Sequence, residues 1–196
     1  MLASASPARL RMLQAAGIDA EVVVSGVDES TVDSDDAVAL SLTLARMKAR
    51  AVAARISRDN GTGRLVLGCD SVLALDGRIL GKPSDATEAT RRWRDMRGRH
   101  GVLHTGHCLI ATGSGASAED VASTTVYFAD LSDAEIKAYV ASGEPLQVAG
   151  AFTIDGLGGP FIERVEGDPG AVIGLSLPLL RHLLRRLDVE ITQLWR

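Results

Sequence analysis

Apolar positions recur along this chain at two spacings, and the switches between them mark out its elements. Leu10, Leu13 and Ala16 stand three residues apart behind Ser6 and Pro7, a serine fit to cap a helix and a proline suited to its first turn. A helix therefore starts near Pro7 and closes at Gly17. Residues 20–24, Ala-Glu-Val-Val-Val, read as a strand that leads to the acidic pair Asp28 and Glu29. Across residues 35–56 the set Val38, Leu42, Ala45, Ala49, Val52 and Ile56 advances by fours and threes, one face of a long helix. Lys48 lies about 80° from the centre of that stripe at about 100° per residue, where the face meets its neighbours. After a loop at Asn60, Gly61, Thr62 and Gly63 comes a nearly continuous apolar run from Leu65. It turns at Asp76-Gly77, the dipeptide of a type I′ hairpin, and returns through Arg78, Ile79 and Leu80 to Gly81-Lys82-Pro83.

The second half alternates in the same way. Asp85 with Glu88 opens a helix reaching about Met96, and Ser132 with Glu135 opens another that ends at Ser142-Gly143. Residues 103–112 and 124–128 read as neighbouring antiparallel strands around a Gly/Ser/Ala loop, and residues 161–165 as a further strand. Residues 166–170 form a turn. Leu180, Leu183, Leu184 and Leu187 face inwards from a last helix over residues 177–187. Helices interleaved with hairpins predict an α/β chain in which a mixed β-sheet is flanked by helices. At 196 residues it is expected to form one domain, or two lobes sharing one sheet.

Asp70 changes the picture most. A carboxylate in the middle of the apolar run is costly unless a cation or metal meets it, so Asp70 is either a catalytic group or a strand-end turn residue. The hairpin is positioned to return Lys82 towards it. At the Ser6-capped helix start, free N–H groups and Arg9 suit an anion, although a well-capped surface helix with solvated Arg9 and Arg11 has the same sequence. Asp28 and Glu29 can hold a divalent ion or simply be solvated, and Lys48 can reach a cleft or lie along the surface.

Composition narrows the partners. A net charge of −4 offers no general attraction to nucleic acid or anionic membrane, so Arg91, Arg92, Arg94, Arg97 and Arg99 around Trp93 read as a solvated helix face. His104 and His107 fall on opposite faces of a strand, and with His100 they make an improbable zinc site. Cys69 and Cys108 lie in apolar runs without CxxC spacing, as reduced buried thiols of a cytoplasmic protein. No stretch has the length of a membrane span.

Several motifs, in order, carry a resemblance. The opening LASASPARLRML is similar to the LASxSPRRxxLL signature of the Maf family, and GVDES, ARMKA, GCDSV with GKP, SGEP with AGAFTIDG, and IGLSLPLL follow in the family's order from Ser4 to about Leu180. The resemblance implies an inosine-triphosphatase-like fold with a central active-site cleft. It also implies a homodimer that hydrolyses nucleoside triphosphates to monophosphate and pyrophosphate, with a role in removing non-canonical or modified nucleotides. By the same resemblance Asp70 is the proton acceptor. Ser4, Arg9, Glu29, Lys48 and Lys82 complete the polar site with Ser6, and Asp70 with Glu29 holds a divalent cation, magnesium or manganese. The family also resembles proteins implicated in septum formation, so the alternative is a regulator of cell division that binds a nucleotide or partner without turnover. Ala8, Ser71 and Asp155 stand where its subfamilies differ. One that prefers dTTP and UTP has Arg, Thr and Gln there, and one that prefers 7-methyl-GTP has Trp, Gln and Glu. This chain matches neither. Its start at Met1-Leu2 leaves little room for the strand that usually precedes the signature.

Overall fold

The computed structural model describes residues 1–58 and 63–196, so the loop expected around Asn60, Gly61 and Thr62 lies outside the described residues. Five strands, β1 (Leu65–Leu75), β2 (Arg78–Leu80), β3 (His100–Ala111), β4 (Ser117–Phe128) and β5 (Ile162–Glu166), form one sheet in the order β2-β1-β3-β4-β5. Every pairing between them is antiparallel. Among the described residues parallel pairing is confined to Leu2, which bridges Val22 and Leu67. The helices are α1 (Pro7–Ala15), α2 (Ala37–Arg58), α3 (Ala86–Met96), α4 (Asp133–Ala141), α5 (Pro169–Ile173) and α6 (Leu177–Arg185).

The expected hairpin forms with Asp76 and Gly77 both at positive φ, as a type I′ turn requires. Ser132 and Glu135 make the reciprocal capping box. One sheet face is covered by α2, and two glycines set how closely. A Cβ on Gly68 would stand 2.3 Å from the Ala45 carbonyl oxygen, and one on Gly106 would stand 2.3 Å from that of Ser41. On the other face lie two apolar clusters. Leu73, Leu75, Leu103, Val126 and Phe128 pack with Trp93 of α3 and with Ile136 and Tyr139 of α4. Leu67, Cys69, Leu109 and Ala118 pack with Leu13 of α1 and with Leu180, Leu183 and Leu184 of α6. Between the clusters runs a polar seam of Ser71, Thr105 and Thr124, the last two fully buried.

Three elements differ from the reading of the sequence. Residues 20–24 form no strand, because among the described residues their backbone bridges only to Leu2, which accepts from Val23 N–H and donates to Glu21; Arg55 donates to the Val24 carbonyl, and Val22 and Val24 stay exposed. β4 begins at Ser117, seven residues before the apolar pattern does, because the ladder with β3 continues through polar Glu119 and Asp120. The turn after β5 includes the short helix α5, capped by the Asp168 carboxylate, which accepts from Gly170 N–H.

Candidate active site

The register of β1 leaves a gap on its outer edge. At one end Leu67 is paired with Met1 and Ala3, and at the other residues 73–75 are paired with β2. Residues 69–71 lie between, with β3 on their inner side. Strand alternation then sends Asp70 to the α2 face and Ser71 to the opposite one. Such an edge is open to solvent from both faces.

On the α2 face, Asp70 is 7% exposed and its Oδ1 lies 2.5 Å from Lys48 Nζ. Lys48, expected at the rim of the α2 stripe, is itself buried and also stands 2.8 Å from Glu29 Oε1. Asp28 takes no part: its carboxylate accepts from the N–H and hydroxyl of Ser30, capping the 3-10 turn that carries Glu29. Burial pushes the Asp70 carboxyl above the usual carboxylate range, against the pull of Lys48 and Arg9. Its Oδ2 has no hydrogen bond among the described residues, yet is not buried. That oxygen is available to a water molecule or a cation at the gap.

On the other face Arg9 is buried and tied down. Its Nε donates to the Gly174 carbonyl at 2.7 Å, one Nη to Ser4 Oγ and the other to Ser71 Oγ, both at 3.1 Å. Thr105 donates its hydroxyl proton to the Ala171 carbonyl, so the Ser71 hydroxyl is the donor in their 2.8 Å contact and its oxygen is left to accept from Arg9. Ser4 Oγ accepts from Arg9 and from Ser6 N–H, which leaves its own proton without an acceptor among the described residues. Of the five guanidinium N–H groups, two remain after these bonds. Ser6 caps α1, accepting from Arg9 N–H, and Ala8 is half-buried in the first turn. Arg9 thus departs from the picture of a solvated helix residue, while Arg11 is exposed and lies 3.6 Å from Asp155 Oδ2. Asp155 also accepts from the Thr153 hydroxyl.

Lys82 is exposed and has no ion pair or hydrogen bond among the described residues. Leu80 pairs with Leu73, so the chain leaves β2 running towards the Asp70 end of β1. The arrangement brings Asp70, Lys48 and Glu29 together on one face, and Arg9, Ser4 and Ser71 on the other, while Asp155 meets only Arg11 and Thr153 among the described residues.

The histidines do not converge. His100 packs on the Tyr127 ring, His104 Nδ1 meets Ser123 Oγ, and His107 is buried with Nδ1 on the Thr105 carbonyl and Nε2 accepting from Ser176 N–H. The arginines of α3 and its end are bound up in ion pairs, Arg92 with Glu88, Arg94 and Arg97 with Asp133, and Arg99 with Asp76, and Trp93 is buried. Cys69 and Cys108 are free and buried, with burial pushing their thiols up to about 12 and about 11. Among the described residues no group of three acidic, histidine or cysteine side chains is set to hold a metal, and no helix is long and apolar enough to cross a membrane.

Sequence reasoning did not find Thr105, whose bond to Ser71 depends on strand register, or Glu144. The Glu144 carboxylate accepts from Tyr139 and from Leu157 and Gly158 N–H, which pins the loop after Asp155. Nothing local marks Thr105, and Glu144 is marked only as part of the SGEP motif, which gives it no role. Glu88 and Arg92, four apart on α3, carried a signal in their spacing.

Comparison with known proteins bears on the whole chain. The family model described as Maf-like protein matches residues 1–187. A protein of Salinispora tropica named nucleoside triphosphate pyrophosphatase is 64% identical over 195 residues, covering all of this chain and 86% of that protein. Proteins of the same name from Streptomyces avermitilis and Streptomyces coelicolor are 57% and 58% identical, each over all of this chain and 93% of the relative. With a polar site at the sheet-edge gap and this likeness along its full length, the chain belongs to the family of Maf-like proteins.

Proposed function

We propose that this protein hydrolyses nucleoside triphosphates between the α and β phosphorus, releasing a nucleoside monophosphate and pyrophosphate. The observation that carries the reading is Asp70: a buried carboxylate of raised pKa, with one oxygen held by Lys48 and the other open at the gap. A binding module has no use for such a base. The name shared by the relatives supports the same chemistry.

In this reading the triphosphate meets the start of α1, where Ser4, the remaining Arg9 donors and the helix N–H groups face its charge. Asp70 Oδ2 orients a water and takes its proton as the water oxygen attacks the α-phosphorus, and the bond to the bridging oxygen breaks with pyrophosphate leaving. Lys48 keeps Asp70 and Glu29 compatible at close range, and Lys82 meets charge developing on the phosphates. Ala8, Ser71 and Asp155 border the base. The open Asp70 oxygen and the exposed Glu29 carboxylate are hard donors, a set suited to magnesium or manganese, whose sites take one or two carboxylates and fill the rest with water and substrate phosphate. When bound there, the ion would neutralise phosphate charge.

Reaction in ¹⁸O-enriched water tests the bond that breaks. Label in the monophosphate with unlabelled pyrophosphate supports the reading, whereas nucleoside diphosphate with labelled orthophosphate overturns it.

A further inference from the structure

A lysine side chain has four rotatable bonds, and Lys82 is exposed with no ion pair or hydrogen bond among the described residues, so its placement depends on its backbone. That backbone is held at both ends by one ion pair on α3. Arg92, itself buried, donates Nη1 to the Gly81 carbonyl at 2.5 Å and Nε and Nη2 to Glu88 Oε1 at 3.1 and 2.6 Å. Glu88 Oε2 accepts from Ser84 N–H at 2.7 Å. The Gly81 carbonyl also accepts from Gly150 N–H at 3.0 Å, and Pro83 between the anchors is buried. Proline fixes its own φ and drives the residue before it out of the helical region, so Lys82 has little backbone freedom left.

We propose that Glu88 and Arg92 are positioning residues for Lys82, clamping the segment from Gly81 to Ser84 so that the ammonium group is presented at the sheet-edge gap. An ion pair is weak evidence of a stabilising role, since well-packed apolar side chains often replace a buried pair at no loss. Here each member spends a bond on one flank of the same dipeptide. The Ser84 amide, ahead of Arg92, holds the Glu88 carboxyl down to about 2, so the clamp stays charged wherever the enzyme works.

The inference rests on the proposed role of Lys82, and its test separates the two. Pyrophosphate release is measured for Arg92→Lys and Glu88→Gln, each alone and combined with Lys82→Ala, with melting curves on every variant. Arg92→Lys keeps the charge and loses the fork, and its kcat is expected to fall about 10- to 100-fold with KM nearly unchanged. Glu88→Gln should fall less, in the same direction, and serves as the probe if Arg92→Lys does not fold. In the Lys82→Ala background both substitutions should leave kcat within about twofold, because the group they place is gone. Losses that multiply in that background, or an unchanged kcat in folded Arg92→Lys, overturn the clamp alone. Wild-type turnover by Lys82→Ala overturns the role of Lys82, and the clamp with it.

Discussion

Lys48 Nζ stands 2.5 Å from Asp70 Oδ1 across the α2 face of the sheet, a buried cation serving a buried carboxylate. Burial still wins, and the Asp70 carboxyl is raised. Asp70→Asn should therefore keep the fold, by circular dichroism, and lose about 10²- to 10⁴-fold in turnover. In the wild type kcat/KM should fall as pH drops through the raised Asp70 value. Lys48→Ala removes the largest influence opposing that rise, so its acid limb should move to higher pH. A limb that stays in place would show that another group titrates.

The open Asp70 oxygen and Glu29 predict a requirement for a divalent ion. Chelation by EDTA should stop turnover, with magnesium or manganese restoring it. Because His100, His104 and His107 each have separate partners, elemental analysis should find no stoichiometric zinc.

Arg9 and Lys82 should separate in steady-state kinetics. Arg9→Ala chiefly raises KM, since two of its N–H groups are left for phosphate, and Lys82→Ala chiefly lowers kcat. Arg9→Ala also leaves the Gly174 carbonyl without its donor and should lower stability by about 1–3 kcal/mol in urea melts. The reverse kinetic pattern would exchange the two roles.

Asp155 accepts from Thr153 and lies near Arg11, outside the Asp70–Lys48–Glu29 cluster. Asp155→Ala should flatten the preference among nucleoside triphosphates more than it lowers the best rate. Equal loss for every nucleotide would make Asp155 a catalytic or structural residue.

His107 is buried as the neutral ring, and burial lowers it to about 4. A histidine ordinarily titrates near 6.5, so the unfolded chain binds a proton in this window that the folded one does not. Its contribution to stability is complete above about pH 6.5 and is lost as pH falls towards 4, at up to about 1.4 kcal/mol per pH unit. Urea melts at pH 5 and pH 7 should show that slope in the wild type and lose it in His107→Gln, whose amide oxygen can still accept from Ser176 N–H.

What the sequence determined by itself is what lies within a few residues: the Asp76-Gly77 hairpin, the Ser6 and Ser132 caps, the long stripe of α2, and the expense of Asp70 in an apolar run. Those signals are local because helix and strand periods repeat over a turn or two. The family motifs gave roles to residues mostly already under suspicion and brought in Ser4, Ala8, Ser71 and Asp155. Only the tertiary structure decided which suspects meet. Arg9 finds Ser71 and Gly174 across 62 and 165 residues of chain, and the Ser71 to Thr105 contact follows from strand register. The same cause explains the failures. Residues 20–24 have the composition of a strand but, among the described residues, bridge only to Leu2, and residues 117–123, with Glu119 and Asp120 among them, extend β4 because β3 supplies their partners. A strand is completed by its neighbour, and the neighbour is chosen by the fold.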